Sequence, residues 1–512
     1  MHKQNPPPNH SSFVLSPLLF GRACASARVR ASLLLFILLF IPACGARRTP
    51  NLERIFAQAR TQKGKRPIIV IPGILGSQLV NSETGEVVWP SAFRSSEDGL
   101  ALPVSANLES NHDSLVPRKI IDTARFQYAN IKIGPEVYIY HDLLEALKNY
   151  GGYREGDWDN PGEGGDQDTF YVFAYDWRRD NVESARLLIR KIESLKRNLN
   201  RPDLRFNVLA HSMGGLVARY AARYGDADLP PDGERPSPTW AGAAHISKII
   251  MFGTPNAGSA DAFATLIEGY SVTEGLRRRL PLLNKLSRED VLTGPSIFQL
   301  LPHASVMRFL DENLQPITVD LYDPQSWLRY GWSAYGDPDF RQRFVAGRMR
   351  GDYAPLRPGS LEDLDAYFAA ALHRAKRFHE ALDVQVEGET PVPLFVFGGD
   401  CEETLDAPVL MRDRKTHAWV TLVRPRSFVT SSGKKISRET ALEAMYMPGD
   451  GRVTRRSLLG ADLPGNHRND SLFNTPLPIS YAIFGCDLHG NIQNNKILLD
   501  NALTALVSEI IR

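Results

Sequence analysis

Cysteine is scarce in this chain: 512 residues contain four, at positions 24, 44, 401 and 486, too few to scaffold a fold of this size. Neither a Cys-x-x-Cys pair nor a His-Glu-x-x-His stretch occurs, so the sequence implies no metal and no cofactor. Excess charge of one sign is also missing. Sixty Lys plus Arg stand against 58 Asp plus Glu, and the formal net charge of +2 supplies no basic field for nucleic acid. There is no internal repeat, which argues against a solenoid. What is present is 43% hydrophobic and 23% charged residues, enough to bury a large globular core.

The N-terminal apolar run, "LLLFILLFI" at 33–41, is too short to cross a bilayer as a helix. Preceded by Arg22, Arg28 and Arg30, it has the form of a signal-peptide core, and export is expected. The following "IPACG" resembles a bacterial lipobox, which would make Cys44 a lipid anchor on a membrane surface. Cleavage after Ala46, giving a soluble secreted or periplasmic protein, and an uncleaved anchor are the alternatives.

From residue 67 the chain alternates strands and helices. "RPIIVIPG", "TFYVFAYDW", "SKIIMFGTP", "PLFVFGG" and "PISYAIFG" read as strands; "HDLLEALKNYG" and "NVESARLLIRKIESLKRNL" read as helices. The last helix, "NKILLDNALTALVSEII", is expected to put Leu499, Leu503, Leu506 and Ile510 on one face. Continuous apolar strands alternating with helices predict an α/β fold with a mostly parallel sheet covered on both faces. The expected organisation is an export segment (1–43), a linker (44–66), a first core part (67–259) with lid-like loops at 80–135, a mainly helical cap insertion (260–390) and a second core part (391–512). The insertion carries a capped helix from Ser360 with Leu364, Phe368, Ala371, Leu372 and Phe378 on its apolar face. Its aromatics, Trp327, Tyr330, Trp332, Phe340 and Phe344, read first as the cap's own core and second as contacts for an apolar ligand.

In "NVLAHSMGGLVARY", residues 207–220, the period switches from strand to helix at Ser212. Small residues two before and two after it, Ala210 and Gly214, allow the strand and helix to meet closely, as in a nucleophile elbow with Ala in place of the first Gly. The plain alternative is a small-residue turn with no chemistry. A serine hydroxyl needs a histidine to take its proton and a carboxylate to orient that histidine, in the chain order Ser, acid, His for an α/β-hydrolase. His489, in the loop after the final strand, is the candidate base; His467, in the polar run "GNHRND", competes. Asp400 directly follows the strand "PLFVFGG", whereas Asp450 lies between glycines that can aim a short carboxylate inward. Residue order admits both. The oxyanion donors would be the amides of Met213, after the nucleophile, and Ile74, after Pro-Gly in "VIPGILGSQL".

Together "IPGILGSQL", "GYREG", "YDWRRD", "AHSMGG", "FGTPNAGS", "PSIFQLLP", "GDGRV" and "LHGN" resemble, in order, the motifs of the lecithin:cholesterol acyltransferase-like family, which includes phospholipid:diacylglycerol acyltransferases and lysosomal phospholipases. The resemblance implies an α/β-hydrolase fold, Ser212 as nucleophile, Asp450 as acid, His489 as base and Ile74 and Met213 as oxyanion donors. It makes "YDWRRD" structural, with Asp176 paired to an arginine such as Arg178. Arg452 stands where the family has Thr, and 80–135 lacks the cysteines that close the plasma enzyme's lid loop, so that lid mechanism is not carried over. The expected function is a serine-dependent lipid acyl-ester hydrolase or O-acyltransferase, with a lipid ester such as a phospholipid as donor and a lipophilic alcohol as the acceptor in transfer. The alternative is an exported lipid-binding or scaffolding protein that keeps the fold without turnover.

Overall fold

The strand "IIVI" is apolar at every position because both of its faces are covered. In the computed structural model, Ile69 and Ile71 join a core cluster on one side of the sheet, while Ile68 and Val70 join a second cluster on the other. The structure describes residues 49–90, 99–124, 127–128, 131–132, 137–271, 285–303, 307–346, 360–385, 390–461, 463 and 475–510. The export segment, Cys44, Ala46 and His467 lie outside the described residues.

Seven strands form the main sheet: β1 (Ile68–Ile71), β2 (Arg154–Glu155), β3 (Thr169–Val172), β4 (Phe206–His211), β5 (Ile246–Phe252), β6 (Leu394–Gly399) and β7 (Ile479–Gly485). Their order is β7-β6-β5-β4-β1-β3-β2, and every pairing is parallel. Helices α1 (His141–Asn149) and α5 (Lys496–Val507) cover one face. Helices α2 (Asn181–Asn198), α3 (Met213–Tyr224) and α4 (Leu361–Asp383) cover the other. This is the α/β-hydrolase arrangement. The chain runs outward from β1 to β2 and β3, then crosses back to β4, so the carboxyl ends of β1 and β4 flank the crevice where sheets of this kind bind ligands.

The structure departs from the sequence reading in several places. The supposed linker is partly folded: Leu52 and Phe56 are buried, and buried Lys65 pairs with Asp168 at 2.8 Å. Within the expected lid-like loops, Ser77–Asn81, Val87–Trp89 and Leu115–Ile120 form an antiparallel sheet. Helix α5 ends at Val507, so Ile510 lies beyond it and is exposed, while Leu499, Leu503 and Leu506 are buried. Finally, the insertion does not enclose a core of its own. Trp327, Trp332, Phe340 and Phe344 are buried in the same cluster as Leu188 of α2 and Leu216 of α3, and Tyr220 of α3 stacks on Phe378 of α4. These aromatics, with half-buried Tyr330 packed against them, serve as core.

Residues 400–448, read as second core part, leave the main sheet. Val409–Arg412 and Trp419–Leu422 join Phe309–Leu310 and Pro316–Ile317 in a four-stranded sheet, and Glu402–Leu405 pairs antiparallel with Tyr446–Gly449 to bring the chain back. Cys401 and Cys486, which follow adjacent strands β6 and β7, are disulfide-bonded with Cα atoms 5.4 Å apart. Among the described residues, no helix is long and apolar enough to cross a membrane.

Candidate active site

Strand β4 ends at His211 and α3 begins at Met213, which leaves Ser212 to make the reversal alone. It does so at φ 52°, a region that costs a non-glycine residue about 1–3 kcal/mol and persists only where surroundings enforce it. The enforcement is visible. Ser212 N–H donates to the Phe252 carbonyl at 2.7 Å, and a Cβ on Gly214 would lie 2.5 Å from the Pro72 carbonyl oxygen. The small residues thus let α3 seat against the end of β1.

His489, in the loop after β7, places Nε2 2.8 Å from Ser212 Oγ and Nδ1 2.8 Å from Asp450 Oδ2. An ionised carboxylate only accepts, so Nδ1 carries the hydrogen and Nε2 is free to accept the serine proton. Asp450 is fixed by its own turn: Oδ1 accepts the amides of Arg452 at 3.1 Å and Val453 at 2.8 Å, leaving Oδ2 for the imidazole. The replacement of Thr by Arg at 452 leaves this contact intact because it is made by the backbone. All three side chains are shielded, with Ser212 5%, Asp450 1% and His489 8% exposed.

Asp400 is not part of this group. It is half-buried, and its nearest cationic partner is Arg455 at 3.5 Å. The space at the end of β6 belongs instead to Asp450, for a Cβ on Gly399 would lie 2.8 Å from the Asp450 Cβ. Gly253, at φ +57°, closes the other side; its Cβ would stand 3.1 Å from Asp450 Oδ2 and from His489 Nδ1.

The two expected oxyanion donors border the serine. Met213 opens α3, where the first amides have no intrahelical acceptor. The Ile74 turn is brought against the elbow by Gly73, whose Cβ would lie 2.8 Å from the Ser212 Cβ. Neither amide donates to a described residue.

Sequence reasoning gave no role to His211, Tyr140, Tyr175 or Gly253. Tyr140 Oη lies 2.8 Å from His211 Nδ1, and His211 Nε2 lies 3.1 Å from the His489 carbonyl. Burial, and next the neighbouring His489, lower the His211 pKa to about 3, so its ring stays neutral. "AHSMGG" did contain His211, but its partners are distant in sequence. In "YDWRRD", Arg178 bonds Asp176 at 2.8 Å, as expected, and also Asp113 at 2.8 Å, tying the 100–113 segment to the end of β3.

The family described as "Lecithin:cholesterol acyltransferase" matches residues 122–314, a span that contains Ser212 and stops before Asp450 and His489. "Lecithin-cholesterol acyltransferase-like 4" of Arabidopsis thaliana is 23% identical over 259 residues, which cover 46% of this chain and 42% of that protein. The match thus spans less than half the length of that relative. Among solved structures, the Tle4–Tli4 complex overlaps 88% of this chain and 100% of that one, at 13% identity and a TM-score of 0.49. The mature lipase BlEst2 of Bacillus licheniformis overlaps 87% and 92%, at 12% identity and a TM-score of 0.27. The fold assignment stands on strand order and pairing, not on these superpositions. The family match and the Arabidopsis relative agree: over its central part this chain is similar to the lecithin:cholesterol acyltransferase-like family.

Proposed function

We propose that this protein is a serine-dependent lipid acyl-ester hydrolase and O-acyltransferase. The observation that carries the reading is the continuous hydrogen-bonded chain from Ser212 Oγ through His489 to Asp450, set on a strained elbow. The family's name supports an acyl ester of a lipid, such as a phospholipid, as substrate.

In this mechanism Ser212 Oγ attacks the ester carbonyl carbon as His489 Nε2 takes its proton. The carbonyl oxygen becomes an oxyanion held by the Ile74 and Met213 amides; losing one such donor costs roughly a hundred- to a thousandfold in rate. His489 passes the proton to the leaving alcohol, Asp450 stabilises the transient imidazolium, and an acyl-serine remains. Water or an acceptor alcohol then repeats the steps in reverse, releasing a fatty acid or a new ester. The two outcomes differ only in what reaches the acyl-enzyme first.

Export by the N-terminal segment and anchoring through lipidated Cys44 complete the proposal, putting the enzyme at a membrane surface. If so, Cys44→Ser releases the protein from membranes; unchanged fractionation with no lipid adduct on the wild type overturns the anchor. The reaction is tested with a labelled-acyl phospholipid, with and without a long-chain alcohol, diacylglycerol or sterol. Free acid without acceptor, and new ester at its expense with acceptor, are expected. Free acid alone under every acceptor removes the transferase half. Binding without any turnover leaves only a lipid-binding protein.

A further inference from the structure

The peptide group between Pro72 and Gly73 is bonded at both ends to buried tyrosines. Its carbonyl accepts from the Tyr175 hydroxyl at 3.0 Å, and its N–H donates to the Tyr140 hydroxyl at 2.8 Å. Tyr175 is 0% and Tyr140 1% exposed, so water does not compete for either bond. The His489 carbonyl can only accept, which puts a hydrogen on His211 Nε2 and leaves His211 Nδ1 to accept from Tyr140. Every hydrogen in the run Gly73 N–H, Tyr140 O–H, His211 Nε2–H therefore has one direction. Protonation of His211 at Nδ1 would reverse the Tyr140–His211 bond, and burial keeps the ring neutral at ordinary pH.

We propose that Tyr140 and Tyr175 are positioning residues that clamp the Pro72–Gly73 peptide plane, thereby aiming the next amide, Ile74 N–H, at the developing oxyanion. This rests on the reading of Ser212 as nucleophile. An oxyanion donor is effective to the extent that it is oriented before charge develops. The next plane, which carries Ile74 N–H, is held at its other end by Gly76 N–H, which donates to the Gly73 carbonyl at 3.1 Å, so the tyrosines fix the plane on which it hinges; a Cβ at Gly73 would stand 2.8 Å from the Ser212 Cβ and 3.1 Å from His211 Nδ1, so no side chain fits there. A plane bonded at both ends tilts less than one bonded at a single end. Through His211, Tyr140 also ties this turn to the backbone of the base, so that donor and base keep a fixed relation across four segments distant in sequence.

The test compares Tyr140→Phe, Tyr175→Phe and Tyr153→Phe in the full chain. Tyr153 is a buried tyrosine whose hydroxyl bonds the Leu506 carbonyl, remote from the site. It reports what losing a buried hydroxyl does to stability alone. With a soluble short-chain p-nitrophenyl ester, kcat is expected to fall about ten- to a hundredfold in each of the first two variants, less than for outright loss of a donor. KM is expected to stay within about threefold, and affinity for a trifluoromethyl ketone, which mimics the oxyanion, to fall in parallel with kcat. The double variant should lose little more than the worse single one, because both act on one peptide. Tyr153→Phe should keep wild-type kcat. Wild-type kcat in a folded Tyr140→Phe or Tyr175→Phe, or a loss in KM alone, overturns the clamp while leaving Ser212 as nucleophile. Wild-type protein without Ser212-dependent turnover overturns both together. If one variant does not fold, the other decides.

Discussion

His489 and Asp450 are joined twice: imidazole to carboxylate at 2.8 Å, and His489 N–H to the Asp450 carbonyl at 2.8 Å. The second bond docks the loop after β7 onto the turn at 449–453, so the first does not depend on side-chain rotamers alone. Asp450→Asn is accordingly expected to lower kcat by about a thousand- to ten-thousandfold by favouring the wrong imidazole tautomer, with folding preserved. Asp400→Asn removes a partly exposed contact to Arg455 and should change activity little. Steady-state kinetics on purified, folded variants check this; the reverse ranking moves the acid to Asp400.

Gly214→Ala places a methyl 2.5 Å from the Pro72 carbonyl oxygen and 2.8 Å from that of Ile71, both backbone atoms that cannot swing aside. A loss of about 1–3 kcal/mol in unfolding free energy is expected, together with lost turnover. Urea unfolding monitored by tryptophan fluorescence measures it, and a wild-type midpoint would mean that the elbow is looser than described.

Acid should destabilise the protein before its carboxylates protonate. His211 is lowered to about 3 by burial and then by His489; His379 is driven well below its ordinary value by burial, then by His303 and Arg219. A histidine whose folded pKa lies below its unfolded value takes up its proton first in the unfolded chain. Its stabilisation is thus full above about pH 6.5 and lost as pH falls toward the folded value. For His211 alone the loss is on the order of 2 kcal/mol by pH 5. Urea midpoints at pH 7.5 and pH 5 should differ accordingly, and equal midpoints would contradict neutral burial.

The Cys401–Cys486 bridge links the ends of β6 and β7 three residues before His489. Replacing both cysteines with serine should cost about 2–4 kcal/mol of stability, the usual range for a native disulfide. Mass mapping of the protein, isolated under oxidising conditions and without reduction, checks the bond itself; two free thiols there would refute it.

What could be read in the sequence was whatever its neighbours in the chain determine. Ser212 announces itself because a strand-to-helix reversal demands small residues at fixed offsets, and the strands around it show their two-sided burial as unbroken apolar runs. Asp450 could be preferred over Asp400 only through its flanking glycines and a family motif. The detour of residues 400–448 is what decides between them, and its strands pair with a segment near residue 310, too far off to leave a local pattern. Tyr140 meets His211 across 71 positions and Gly73 across 67, and a buried tyrosine hydroxyl has no signature in the residues beside it. Ile510 kept the helical period of α5 although the helix stops at Val507, since spacing alone does not mark an end.

The most direct test of the account is to react the purified protein with a fluorophosphonate and locate the adduct by peptide mass mapping, in the wild type and in Ser212→Ala. A single adduct on the peptide containing Ser212, absent from a folded Ser212→Ala that has also lost ester turnover, is the predicted result. Full labelling of Ser212→Ala, or an adduct on another residue of the wild type, would contradict it.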